Sequence, residues 1–512
     1  MLTPDDSSPV PAWRRYLAYA TVALMPMSVD VQRLLKVVDV PRLLKVKGPV
    51  YFSPLDFLLP ILFLLMLADL VAKRPWARFR SPPVAVVLWA GLAVLSCVWS
   101  EGFPALESLK TCARGALNPM LFGVAAVWVF QNLPADAAEY RRVALVLGAS
   151  FSVCVLIALK QYVGPPGLPY DPTNPTQDLG GVTNVRLGGW YDFRGVLGAQ
   201  VALLAPAAAA FALLDKDAAV RWAAGGAAAV ALCVTVAAGG FAGASLGVLA
   251  VATAYAFARS RLTGLTAVAI LLAVVAVVLP RLPRHNDEVL FRGFAFFADD
   301  AGARKPTARL RRAQAELSLL AAPSDPRNEE SRPNWVLGVG AGRYQKQING
   351  FYYDPVYSKP GRPTDDEAAY DMEADERFTF GFLETVVVEL GLPGLVAVLF
   401  LFGAWILSAH GAFVRLSANA QSTATPAGGT EPMLALAAFG SGCGALVVSV
   451  FANPVIRGVG GSFAFFFALA LCAKCWSDAL PGGMAFAKTP PGSDVPGAPR
   501  GNDDQTSPAK AQ

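Results

Sequence analysis

Gly381-Phe382-Leu383-Glu384-Thr385-Val386-Val387-Val388-Glu389-Leu390-Gly391-Leu392-Pro393-Gly394-Leu395-Val396-Ala397-Val398 opens an apolar stretch that reaches Ser408 with two charges, Glu384 and Glu389. A bilayer core about 30 Å thick is crossed by roughly 20 apolar residues in a helix. The stretch is long enough, and its composition reads as a membrane span. Gly391 and Pro393 break the helical pattern in its first half. Backbone groups freed at such a break must find partners, so breaks in spans line cavities or bind something. A buried or half-buried Glu389 at this place either holds an arginine or caps the broken helix locally.

Outward from this span the chain keeps the same character. It has 512 residues, 54% hydrophobic and only 16% charged, with a mean hydropathy of +0.44; soluble domains carry nearer a quarter charged residues. Eleven further apolar stretches read as spans: 16–29, 55–72, 83–100, 113–131, 143–160, 195–214, 219–236, 241–258, 262–280, 433–453 and 460–475. The expected fold is an all-α integral membrane protein of about twelve transmembrane helices with a large, partly helical outer loop. Spans 1–9 occupy 1–280 with an outer loop at 161–194, the large loop covers 281–380, and the last three spans fill 381–476. The tail 477–512, rich in Pro, Gly, Asp and Ser, has no apolar period and reads as disordered. The split between 219–236 and 241–258 rests on Ala237-Ala238-Gly239-Gly240, a turn with no polar residue.

Short loops orient the chain. Arg14 and Arg15, Lys73, Arg74, Arg78 and Arg80, Arg141 and Arg142, Lys216 and Arg221, and Arg259 and Arg261 fall on one side of a strict alternation. Basic residues in short loops mark the cytoplasmic side. Both termini are then inside, and 161–194 and 281–380 face outward. Residues 30–54 carry Arg33, Lys36, Arg42, Lys45 and Lys47 on the opposite side, and read as an amphipathic piece lying on the membrane surface. If the first span were only interfacial, this piece would sit inside and the count would fall to eleven.

Several chemistries have little material. His285 and His410 are the two histidines, too few for a His-based metal or triad site. The seven cysteines, Cys97, Cys112, Cys154, Cys233, Cys443, Cys472 and Cys475, lie in or beside spans and read as small hydrophobes. The net charge of +5 is scattered among short loops and does not form a nucleic-acid surface. The acidic run Asp365-Asp366-Glu367 through Glu376 reads as a solvated face, its spacing matching no calcium loop.

The outer loops hold the candidate binding residues. In 184–195, Arg186 and Arg194 flank Gly189-Trp190-Tyr191, and an arginine fork grips a diphosphate as lysine cannot. Trp190 either stacks on a sugar or anchors the helix at the interface. In the second loop Arg309, Arg311 and Arg312 fall on an amphipathic helix over Thr307–Leu320, with Leu310, Ala313, Leu317 and Leu320 at helical spacing. Such a helix suits a lipid headgroup or a lipid-linked phosphate, or is a plain interfacial helix. Further on, Gly338-Val339-Gly340-Ala341-Gly342-Arg343-Tyr344 lacks the Gly-Lys-Ser/Thr of a phosphate loop and the strand of a dinucleotide site. What Gly338, Gly340 and Gly342 supply is a tightly turned backbone whose amides can approach a ligand or another helix.

The order of these segments resembles the bacterial O-antigen ligase and O-antigen or exopolysaccharide polymerase family. The likeness lies in the many spans, two outward loops with the larger one late, and three short motifs. They are Arg186 with Gly189-Trp190 before a mid-chain span, Val336 through Tyr344 after an arginine-bearing helix, and Glu389-Leu390-Gly391-Leu392-Pro393-Gly394-Leu395. The resemblance implies a multi-pass protein of the bacterial inner membrane acting on its periplasmic face without a metal or other cofactor. Its partners would be a polyprenyl-diphosphate-linked glycan donor, a glycan acceptor, membrane lipid and other envelope polysaccharide assembly proteins, with no nucleic acid. Arg186, Arg343 and Glu389 become the expected catalytic residues. Arg194, Arg309, Arg312, Trp190, Gly338, Gly340 and Gly342 become the expected substrate contacts. The ligase branch carries a His-Asn pair before its Glu-Leu-Gly helix, where this chain reads Arg377-Phe378-Thr379-Phe380-Gly381-Phe382. A Ser-Arg-Gly turn of the family is replaced by Gly239-Gly240-Phe241-Ala242-Gly243. Both departures turn the expectation toward a polymerase. A ligase, a transporter of lipid-linked glycan or a non-enzymatic assembly scaffold are the alternatives.

Overall fold

A computed structural model describes residues 11–24, 29–30, 51–52, 55–74, 80–99, 123–132, 136–163, 194–238, 240–260, 262–263, 266, 316–323, 333–342, 381–422, 429–451 and 459–479. The elements in chain order are α1 (Ala12–Ala23), β1 (Val29–Asp30), β2 (Tyr51–Phe52), α2 (Leu55–Val71), α3 (Val84–Trp99), α4 (Ala137–Val163), α5 (Arg194–Leu214), α6 (Ala218–Ala238) and α7 (Phe241–Arg259). They continue with the single turn α8 (Asn334–Leu337), then α9 (Phe382–Ser422), α10 (Thr430–Phe451) and α11 (Val459–Ala479). Strand pairing among the described residues is confined to the two-residue antiparallel ladder of β1 with β2 and an isolated bridge between Pro323 and Pro333.

The chain is an all-α protein with several helices long and apolar enough to cross a membrane. Among the described residues these number 6: Ala137–Ala158, Leu197–Leu214, Ala218–Thr235, Phe241–Arg259, Phe382–Asn419 and Thr430–Val450. Phe57–Val71, Val84–Ser96 and Ala464–Ser477 are apolar but shorter. The helix expected over 16–29 is instead the 12-residue α1. At 1.5 Å per residue it reaches about 18 Å, short of a bilayer core. The helix expected to end at Ser408 runs to Ser422, because Ala409, Ala412, Phe413 and Leu416 continue its buried stripe. The turn at 237–240 does separate two helices, α6 and α7. Residues 31–50, 100–122, 164–193, 264–265, 267–315, 343–380 and the tail from 480 lie outside the described residues.

Hydrophobic burial does not drive helices together in lipid, so close packing of small residues and interhelical hydrogen bonds must. The centre of the molecule is built that way. Helices α5, α7 and α10 meet along Ala202, Pro206, Gly243, Gly247, Gly440 and Gly444. A Cβ placed on Gly444 would lie 2.5 Å from the Ala202 carbonyl oxygen, and one on Gly243 would lie 2.8 Å from that of Gly444. Ser441 on α10 donates to the Leu203 carbonyl on α5 at 2.7 Å, and Trp405 Nε1 on α9 donates to the Ala438 carbonyl at 2.9 Å. Cys472 on α11 donates its thiol to the Trp405 carbonyl at 3.4 Å. Cys472 and Cys475 are both buried in this core.

Ion pairs tie one set of helix ends to a common level. Arg141 at the start of α4 grips Asp215 beyond the end of α5 through Nε and Nη2, both at 2.7 Å. Arg221 at the start of α6 reaches the Asp215 carbonyl at 3.1 Å. Arg14 on α1 pairs with Asp69 near the end of α2, and Arg15 lies 3.8 Å from Glu139 on α4. Arg415 stacks over Trp476, bringing the late parts of α9 and α11 together. At the opposite level Gly240 sits against Gly198 near the start of α5, and Gly381 before α9 sits against Val450 at the end of α10.

Candidate functional site

The broken span and the glycine run, some fifty residues apart in sequence, meet at the break in α9. At Gly391 the backbone of α9 leaves the helical region, with φ 65° and ψ −161°. Two residues on, Pro393 has no N–H to give the Glu389 carbonyl, its partner in an unbroken helix. The last turn before the break therefore presents carbonyls that its own helix does not satisfy, at a depth where an unpaired backbone group is expensive.

The glycine run fills that gap with consecutive amides. Val339 N–H donates to the Val388 carbonyl and Gly340 N–H to the Glu389 carbonyl, both at 2.9 Å. The next amide, Ala341 N–H, donates at 2.9 Å to Ser96 Oγ on α3, whose hydroxyl donates in turn to the Ala93 carbonyl at 2.7 Å. Gly338 and Gly391 face each other so closely that neither tolerates a side chain. A Cβ on Gly391 would lie 2.7 Å from both the Gly338 nitrogen and the Leu337 carbonyl carbon, and one on Gly338 would lie 2.6 Å from the Gly391 nitrogen. Gly338 has φ 73° and ψ 177°, which, like the conformation of Gly391, is almost confined to glycine.

The run is held from behind as well as in front. Pro333 precedes α8, and Asn334 ties that turn to the helical residues 316–321. Its N–H donates to the Ala322 carbonyl at 3.0 Å and its Nδ2 to the Leu319 carbonyl at 2.9 Å. Gly338 N–H then closes the turn on the Asn334 carbonyl at 2.6 Å. In 316–321 the buried positions are Glu316 and Leu319, while Leu317 is exposed. Of the helix expected over Thr307–Leu320 only 316–320 lie among the described residues, and there Leu319 packs inward while Leu317 faces out. Trp335 stands about half exposed beside the run, as an interfacial tryptophan does.

An aromatic cluster packs between α3, α9 and α11. The Trp89 ring lies 5.5 Å from that of Phe382 and stacks on Phe466 at 6.3 Å, while Phe382 meets Phe465 at 6.1 Å. Trp89 and Phe465 are fully buried. Glu384 accepts the Gly381 N–H at 3.1 Å, which caps the start of α9. Glu384 is therefore structural, and of the two acids in the span Glu389 is the one at the break, half-buried with its carbonyl inside the dock.

Of the residues singled out in the sequence, the structure brings together Gly338, Gly340 and Glu389, with Gly342 at the edge of the dock at φ 77°. The Gly338 amide closes its own turn on the Asn334 carbonyl and the Gly340 amide goes to the Glu389 carbonyl on α9, so both are taken by protein groups. Arg194 is the first residue of α5. Arg186, Trp190, Arg309, Arg312 and Arg343 lie outside the described residues, Arg343 directly after Gly342. Sequence reasoning missed Ser96. Its signal was slight, one hydroxyl in the apolar run Val94-Leu95-Ser96-Cys97-Val98.

Compared with known families and with curated proteins, the chain matches no family model and no curated sequence.

Proposed function

We propose that the protein is a glycosyltransferase of the polysaccharide polymerase type, set in a bacterial inner membrane with about eleven spans. It transfers a polyprenyl-diphosphate-linked oligosaccharide onto a glycan acceptor at the outer face. The observation that supports this reading is the docking of the glycine run on the Glu389–Pro393 break. It joins two of the three motifs on which the family resemblance rests, and in sequence Arg343 follows the anchored Ala341 by two residues. The acceptor hydroxyl attacks the anomeric carbon of the donor, the new glycosidic bond forms, and the bond to the polyprenyl diphosphate breaks. Arg186, Arg194, Arg309, Arg312 and Arg343 are the groups assigned to the diphosphate, whose growing charge must be stabilised as it leaves. Glu389 takes the acceptor proton or orients one of these arginines.

The test is growth of a lipid-linked oligosaccharide by the purified protein in liposomes. Arg186→Ala and Arg343→Ala should each cost about 2–4 kcal/mol of transition-state stabilisation, as loss of one oxyanion donor does. Glu389→Gln should keep the folded amount and lower turnover about a hundredfold, the scale of a lost general base. Unchanged turnover in all three variants overturns the assignment. Deletion of the gene separates the alternatives. Accumulated single lipid-linked repeat units indicate a polymerase, finished polymer left unattached indicates a ligase, and intermediates trapped on the inner leaflet indicate a transporter.

A further inference from the structure

We propose that Ser96 is a positioning residue for this transfer, acting through the glycine run and resting on the polymerase reading. Val339 and Gly340 fix the run to α9, and Asn334 ties its start to Leu319 and Ala322, which leaves the far end of the run to be held. The bond from Ala341 N–H to Ser96 Oγ goes to a different helix, α3, and holds that end. Ser96 is itself fully buried and held by the Ala93 carbonyl, which orients its lone pairs toward the loop. Its hydroxyl donates once and accepts once. The chain that leaves the dock after Gly342 therefore starts from a point fixed by two helices.

The geometry makes Ser96 an unusual choice for mere packing. A hydroxyl in an apolar helix usually returns to its own helix backbone, as Thr21 does with Leu17 and Ser449 with Ala445. Ser96 makes that bond and also receives an amide 245 residues away. Alanine at this position would leave the buried Ala341 N–H without an acceptor, which favours a shifted run over the native one. Glu389, whose carbonyl the same run holds, would then be displaced, and misplacement of a group by about 1 Å near a reacting centre lowers turnover.

The experiment reads docking and transfer separately. Val339→Cys is introduced in the full chain, where valine is buried and cysteine is smaller, and its reaction with a membrane-impermeant maleimide is compared with the parent chain. Adding Ser96→Ala should raise the labelling rate about tenfold, the effect of one lost hydrogen bond to a buried amide. In liposomes Ser96→Ala alone should lower kcat about tenfold and leave the donor KM within about twofold. Ser96→Thr, which keeps the hydroxyl, should restore both. Unchanged labelling overturns the proposal, since Ser96 would then not hold the run. Faster labelling with unchanged kcat overturns it too, since the dock would not position the reacting group. Loss of kcat in Ser96→Ala that Ser96→Thr fails to restore shows a packing defect and also overturns it. If the wild-type chain transfers nothing while Ser96→Ala still speeds labelling, the polymerase reading has failed and the positioning role falls with it.

Discussion

At the scale of the residue, the molecule turns on two glycines whose conformations and neighbours both exclude a side chain. Gly391 at φ 65°, ψ −161° and Gly338 at φ 73°, ψ 177° occupy backbone that costs an ordinary residue about 1–3 kcal/mol. Gly391→Ala adds to that a Cβ 2.7 Å from the Gly338 nitrogen, a contact that must push the run off the break. We expect a loss of about 3 kcal/mol, read as a lower melting temperature in detergent. Gly148 in α4 provides the control, because a Cβ there meets nothing within 4 Å. Gly148→Ala should be neutral or slightly stabilising, since glycine costs a helix about 1 kcal/mol relative to alanine. Equal melting temperatures for the two variants would contradict the dock. Gly391 was readable as a break from its sequence neighbours. That its partner is Gly338 was not, because nothing local to either segment names the other.

At the scale of the element, the central packing is a property of pairs of helices and not of any one of them. Helix α10 lies between α5, α7 and α9, and the residues at its crossings are Gly440, Ser441 and Gly444. Small residues let backbones approach, and the gain is in van der Waals contact along the whole crossing. Gly444→Ala should force α5 and α10 apart at Ala202, where the added Cβ would stand 2.5 Å from a carbonyl oxygen. Overpacking of this kind costs about 1–3 kcal/mol. Gly403→Ala in α9, where nothing lies within 4 Å, should leave the melting temperature unchanged or higher. Similar losses in both would place the cost in the glycine-to-alanine change itself and not in the crossing. Glycine and alanine content signalled membrane helices in the sequence. Which small residue meets which is set by rotation of each helix about its axis, and a helix with apolar residues all round carries little periodic signal for that rotation.

At the scale of the whole molecule, the ion pairs hold the ends of α1, α2, α4, α5 and α6 at one level, and Arg141–Asp215 is the best formed of them. Burial alone would raise the Asp215 carboxyl. The Arg141 fork, the Asp217 N–H and the charges of Arg141 and Lys216 outweigh it and hold the group below its ordinary value. A carboxyl lowered in the folded state contributes stability that is complete above its unfolded pKa, about 3.9, and is lost as pH falls through the folded one. Asp215→Asn should therefore cost about 3 kcal/mol at neutral pH, since it leaves Arg141 without its charge partner. The gap in melting temperature between wild type and variant should stay constant from pH 7 to about 4 and close only below that. A gap that closes between pH 7 and 5 would assign the effect to another group.

By itself the sequence determined that this is a helical membrane protein, where several of its spans lie, that a helix break falls between Glu389 and Gly394, and that Gly338 begins a backbone able to approach something closely. Each of these is local: an apolar length, a missing N–H at Pro393, a missing Cβ at Gly338. The tertiary structure alone decided that the break and the run satisfy each other, that Ser96 holds the far end of the run, and that the face of 316–321 turns Leu319 inward. The docking depends on which acceptor finds which amide across fifty or two hundred and more residues. Backbone groups are chemically alike in every residue, so the pairing is chosen by the position of the helices in space and leaves almost no mark on side-chain identity.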